Sequence, residues 1–189
     1  MSENLNIGTR IDGVTTSTDN DIIEKYCYGN LESNCDIYGG MYQWNEAMQY
    51  VTTAGTKGIC PDGWHVPSQN DWTGLQTTIN SNPNYRCNGV SNYISKSMAA
   101  VSGWLTSTNN CAVGYNQPAN NYSGFNVISV GYRTYDIGSF GGHGYDTYIW
   151  TSTENGANAF DIPFFYSSYA FGFVSHPKAY GWSIRCIKN

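Results

Sequence analysis

Six cysteines, three histidines and a few acids are the residues of this 189-residue chain whose types could do chemistry. Cys27, Cys35, Cys60, Cys87, Cys111 and Cys186 form an even set with no CxxC pair, and His65, His143 and His176 stand far apart. Zinc sites are built from closely spaced Cys and His ligands, so zinc is disfavoured and no cofactor is expected. Three disulfides suit the six cysteines better, although roughly fifteen pairings are open. In a reducing cytosol the same residues would be buried thiols. Cys27 and Cys35 lie close enough to clip shut a small loop unit over 26–39. Cys87 and Cys111 flank a polar region that they could staple.

The remaining candidates weigh against catalysis. Glu154 would need a partner with a tuned pKa to act as an acid or base, and none lies nearby in sequence, so it reads as a loop-ordering acceptor. His65, between Trp64 and Val66, reads as a packing histidine. Calcium needs clustered carboxylate and amide oxygens. Gln117-Pro118-Ala119-Asn120 offers only a faint version, with a Gln where a charge is wanted.

The segment from Asn155 to Tyr180 is rich in Tyr, Phe, Ser, Asn and Gly. Aromatic rings supply rigid contact area and small polar residues supply adaptable hydrogen bonds, the vocabulary of binding loops. The competing reading is a hydrophobic sheet, with Ile162, Phe164 and Val174 assigned to its core. The candidate ligand-binding residues are Asn158, Phe160, Asp161, Tyr166, Ser168, Tyr169, Ser175, His176 and Tyr180.

The elements that must hold these residues follow from patterning. Charged residues are only 12% of the chain, aromatics reach 15% and glycines number 21, which argues against helical bundles and disordered tails. Met41, Trp44, Met48 and Val51 recur at helical spacing and predict a first helix. Ser68 with Asp71 three positions on predicts the start of a second, whose inward stripe is Trp72, Leu75 and Ile79. Residues 80–124 read as a long loop region. From Phe125 onward strands are expected, with Phe125 and Val127, Tyr148 and Trp150, and Trp182, Ile184 and Cys186 alternating with polar neighbours. Helices first and strands last predict an α+β fold in one domain over 1–189.

The formal net charge of −5, without a Lys/Arg cluster, gives no footprint for nucleic acid. No apolar run is long enough for membrane insertion. The polar start Met1-Ser2-Glu3-Asn4 reads as lacking a signal peptide.

Several stretches together carry a resemblance. They are Asn4-Leu5-Asn6-Ile7-Gly8, Tyr42-x-Trp44-x-x-Ala47-Met48, Cys60-Pro61-x-Gly63-Trp64-His65-Val66-Pro67-Ser68-x-x-x-Trp72, Gly131-Tyr132-Arg133, Trp150-Thr151-Ser152-Thr153-Glu154 and Gly181-Trp182-Ser183-Ile184-Arg185-Cys186. In order and spacing they resemble the Fibrobacter succinogenes major paralogous domain, a branch of the C-type-lectin-like fold. The resemblance implies adjacent terminal strands, two helices against a small sheet, a long loop region, and a Cys60–Cys186 disulfide. A related sulfatase-modifying enzyme class needs paired reactive cysteines near the C-terminal strands, and only Cys186 lies there.

Variable proteins of diversity-generating retroelements share this fold. Their C-terminal segment before Arg-Cys is rewritten at adenines, which cannot yield Lys, Glu, Gln, Met or Trp. Between Asn155 and Gly181 only Lys178 belongs to that group. The resulting expectation is a non-enzymatic display protein, extracellular, at a cell surface or on a virion, whose partner is a protein or glycan on a host or neighbouring cell. The alternatives are an ordinary secreted or cell-surface domain with an adhesive or structural role, and an enzyme.

Overall fold

The longest strands come from the alternating stretch 146–165. In the computed structural model, which describes residues 1–189, β7 (Asp146–Asn155) and β8 (Asn158–Phe165) form an antiparallel hairpin. Gly156 supplies the positive φ that a two-residue hairpin turn requires. Numbering in chain order, the earlier elements are β1 (Thr9–Arg10), β2 (Glu24–Lys25), α1 (Glu32–Tyr38), β3 (Met41–Tyr42), α2 (Trp44–Ala47), β4 (Trp64–His65), α3 (Gln69–Ser81), α4 (Ser95–Met98), β5 (Tyr132–Arg133) and β6 (Phe140–Gly141). After the hairpin come β9 (Val174–Pro177), β10 (Trp182–Ser183) and β11 (Ile187–Lys188). The fold is α+β.

A five-stranded sheet ordered β3-β10-β7-β8-β9 organises the molecule. Its register sends Ile149, Ile162 and Phe164 to one face, where they meet Trp72, Ile94, Met98 and Trp104. Trp150, Ala159 and Trp182 point to the other face, against Tyr42, Trp44, Met48 and Val66. Both faces are thus buried, and the buried indoles of Trp44 and Trp150 donate to the carbonyls of Thr151 and Tyr42 at 2.7 and 2.9 Å.

The second helix forms where Ser68 predicts it. The Ser68 hydroxyl caps the Asp71 amide and the Asp71 carboxylate accepts from the Ser68 amide, a reciprocal capping box. Trp72 and Ile79 are buried and Leu75 half-buried. The first helix is shorter than its spacing predicts. It ends at Ala47 because Gln49 and Tyr50 take positive φ, which leaves Val51 exposed. The 26–39 unit contains a seven-residue helix, α1, that its polar composition conceals.

Region 80–124 carries only α4 and short helical turns. Polar side chains do the work of a ladder there: Asn120 donates to the Ala100 and Val113 carbonyls, and the Lys96 ammonium donates to Asn120, Asn116 and Tyr115 oxygens. Phe125 and Val127 make no strand, only a single bridge from Val127 to Ala99.

Three disulfides, Cys27–Cys35, Cys60–Cys186 and Cys87–Cys111, take all six cysteines. The chain ends lie together: the Met1 ammonium donates to the Cys186 carbonyl at 2.8 Å and the Leu5 amide to the Ile184 carbonyl at 2.8 Å. Residues 4–8, expected as a strand, pair through isolated bonds rather than a ladder. The final alternation exposes neither face before Ile187, because Ser183 and Arg185 are as buried as Trp182 and Ile184.

Two buried arginines explain two of the motifs. Arg185 donates to the Asn4 side chain and to the carbonyls of Phe125 and Asn126. Arg133 donates to the carbonyls of Gly13, Thr15 and Ala179 and lies over the Tyr26 ring. Neither forms an ion pair with a carboxylate, and burial pulls the Arg185 guanidinium down to about 10. Each fastens separate chain segments through neutral oxygens.

Candidate functional site

The candidate residues fall into three groups fixed by strand register. Asn158, Phe160 and Ser175 share one face of the β8–β9 edge, with Phe160 opposite Ser175. All three are half-buried, and the Ser175 hydroxyl accepts from Asn155 at 3.1 Å.

Tyr166, Ser168 and Tyr169 lie just past β8, in a turn locked onto the 109–114 loop. The Val113 and Gly114 amides donate to the Ser168 and Tyr166 carbonyls, and the Asn109 side chain donates to the Ser167 carbonyl. Cys87–Cys111 anchors that loop. Tyr166 packs edge-on against Tyr145 at 5.6 Å between centroids, and Tyr169 stacks on Tyr93 at 3.9 Å. The tyrosines are therefore partly exposed side chains on braced backbone. Phe165 and Tyr145 beside them are exposed.

The third group corrects the sequence reading. Asp161 does not reach the surface. It is completely buried on the face that carries Trp150, because that face is roofed by α2 and its flanking segments. Its Oδ2 lies 2.9 Å from His176 Nδ1 and its Oδ1 has no partner. Burial pushes its carboxyl up to about 6, against the opposing pull of His176. Val174, assigned to the core, is exposed because β9 is the sheet's edge strand. Ile162 and Phe164 are buried as expected.

His176 and Tyr180 open onto a pocket that the sequence did not reveal. Its volume is about 210 Å³, and Tyr132, Thr134, Asp146, Tyr148, His176, Tyr180 and Trp182 line it. Tyr148, Trp182 and Tyr180 stack in a row, with centroids 4.7 and 5.0 Å apart. Tyr132 stands edge-on to Tyr148 at 5.9 Å and His176 edge-on to Trp182 at 5.0 Å. Asp146 receives only a 3.4 Å contact from the Tyr148 hydroxyl, its Oδ1 is unpartnered, and burial pushes it up to about 6. The i, i+2 spacing of Asp146 and Tyr148 on a strand was the available signal. What hid the pocket is that its other walls come from β5 and β10, which are remote in sequence.

The other candidates behave as bystanders. His65 Nδ1 contacts the Asn189 side chain at 2.6 Å and its Nε2 lies 3.4 Å from Asp71, beside the α3 cap. Glu154 accepts from Lys178 at 2.7 Å, fastening β7 to the segment after β9. Gln117 bonds both backbone groups of Trp104, so it is a loop brace. No group of three or more His, Cys, Asp or Glu side chains is arranged to hold a metal ion.

The sequence matches the family model described as the Fibrobacter succinogenes major domain over residues 1–188. The chain belongs to that family. No curated protein and no solved structure matches it. In this Fibrobacter succinogenes major domain the Tyr132-Arg133 and Ile184-Arg185-Cys186 segments are structural, since Arg133, Arg185 and Cys186 are all committed inside the fold. Three disulfides suit an oxidising environment, and no helix is long and apolar enough to cross a membrane.

Proposed function

We propose that this domain is a non-enzymatic binding module of C-type-lectin-like architecture. It holds a protein or glycan on a host or neighbouring cell through the surface of Tyr166, Ser168 and Tyr169, continued by Tyr145 and Phe165. The observation that carries the reading is the bracing. These side chains sit on a turn bonded to a disulfide-anchored loop, so their contact area costs little ordering entropy on binding.

Two features support a non-catalytic role. Every cysteine is in a disulfide, which leaves no thiol for sulfatase-modifying chemistry. Burial raises the pKa of both Asp146 and Asp161, but Asp161 is sealed from solvent and already engaged by His176, and Asp146 has only the Tyr148 hydroxyl beside it, with no second acid or base to share a proton. An extracellular, cell-surface or virion location accords with the disulfides. A diversified variable protein is the narrower version of the same reading. It requires that change be confined to outward residues such as Asn158, Tyr166 and Tyr169, with Ala159, Asp161, Ile162 and Phe164 held constant in the core.

Labelled wild-type protein and the Tyr166→Ala/Tyr169→Ala variant, applied to a glycan array and to intact microbial cells, test the surface. The expected result is at least a tenfold loss of signal with a thermal midpoint within about 4 °C, the effect of roughly 1 kcal/mol or more in a domain of this size. Unchanged binding, or a collapse in stability, overturns the assignment.

A further inference from the structure

The pocket between β5, β7 and the β9–β10 segment has an unusual balance of groups. Its walls are aromatic, and its one carboxyl, Asp146, lacks any cationic partner. No lysine or arginine lines it. Arg133, adjacent to Tyr132 in β5, is already committed to three carbonyls, and the whole chain carries a net charge of −5. Another carboxylate lies in the neighbourhood: Asp161, 2.9 Å behind the His176 ring. A carboxyl withdrawn from water without a counter-charge is a standing cost, which a ligand that brings positive charge would offset.

The rings set the rest of the chemistry. Tyr132 and Tyr148 are 5.9 Å apart at nearly a right angle, and Tyr180 and Trp182 continue the wall. A cation within about 6 Å of a ring centroid is attracted by the ring's quadrupole; Tyr132, Tyr148 and Tyr180 line the pocket, while Trp182 is stacked between Tyr148 and Tyr180 and backs the wall. The volume, about 210 Å³, is below the roughly 300–1,000 Å³ of drug-sized sites. It suits one small head group rather than an oligosaccharide.

We propose that this pocket binds an alkylammonium group, with Asp146 meeting its charge and the rings of Tyr132, Tyr148 and Tyr180 meeting its alkyl substituents. The inference deepens the binding reading above, since the pocket would be the charge-selective part of that surface. The group could belong to a protein partner's lysine or to a small quaternary amine, and the same chemistry serves both.

The test titrates full-length protein at pH 7.5 with choline, with its uncharged isostere 3,3-dimethyl-1-butanol, with N-acetyl-lysine amide and with glucose, following the Trp182 indole N–H by NMR. The expected result is saturable binding of choline or of the lysine derivative, at least tenfold tighter than the isostere. Tighter binding of choline or of the lysine derivative identifies the source. Asp146→Asn, which preserves shape, should remove most of that preference. Equal binding of choline and isostere, no binding of either ammonium, or a preference for glucose overturns the proposal. The wild-type comparison stands even if the variant fails to fold. Because small probes report only the pocket, their failure leaves the tyrosine surface standing. Loss of that surface in the Tyr166/Tyr169 experiment likewise leaves the pocket result intact.

Discussion

Replacing the cysteines pairwise by alanine should destabilise the domain in the order of the loops they close. Cys60 and Cys186 are 126 residues apart, Cys87 and Cys111 are 24 apart, and Cys27 and Cys35 are 8 apart. The chain-entropy relation assigns about 4.9, 3.5 and 2.6 kcal/mol to these links at 25 °C. The second link is nested inside the first and shortens its loop by about a fifth, which lowers the largest figure by only about 0.2 kcal/mol. Against the roughly 5–15 kcal/mol of a typical domain, Cys60→Ala/Cys186→Ala should lose a third or more of the total stability. Both of its cysteines are also buried in the Trp150–Trp182 cluster, so lost sulfur contacts add to the entropic cost. Equilibrium urea unfolding of the three double variants reads the order directly. The m-value supplies a second readout, because an unfolded chain freed of its longest link exposes more surface and should give a steeper slope. If Cys27→Ala/Cys35→Ala proved as damaging as Cys60→Ala/Cys186→Ala, or if the slope did not change, loop closure would not be the source of the stability.

Two further outcomes follow from buried charge. Arg185→Lys should destabilise by about 3–5 kcal/mol in thermal or urea unfolding, because the shorter, non-planar ammonium cannot serve Asn4, Phe125 and Asn126 together; a loss below 1 kcal/mol would mean that water or a neighbour replaces those bonds. Asp161 is pushed up to about 6, so its contribution is fully present below the unfolded value near 4 and is lost as pH rises through 6. Asp161→Asn should flatten the wild-type fall in unfolding free energy between about pH 3 and 7, by up to about 3 kcal/mol for a two-unit displacement; parallel pH profiles for the two proteins would contradict the sign.

Local chemistry was legible where a few adjacent residues decide the outcome. Ser68 and Asp71 announce the α3 cap and the Cys27–Cys35 spacing a clip, whereas the Gly156 hairpin turn was passed over in a segment read only for its composition. The extent of the first helix was not legible, because helical spacing through Val51 says nothing of the backbone reversal at Gln49 and Tyr50. Strand burial was legible only in part. Alternation assumes one wet face, yet the central strands are covered on both sides, so Asp161 is interior despite its charge, and Arg185, past the end of β10, is drawn inside by its bonds to Asn4, Phe125 and Asn126. The open pocket escaped notice for a related reason. Its walls meet only after β10 joins β7 in parallel, a long-range pairing that no local pattern encodes.

The contact between Met1 and Cys186 makes the backbone close to a ring. A short tether across the two ends would complete it with little distortion, and the exposed Gly156–Ala157 turn offers a place to reopen it. A circularly permuted version begun there should assemble the same sheet. The domain could equally be spliced into a surface loop of another protein, since both of its ends leave from one spot and demand almost no span from the host.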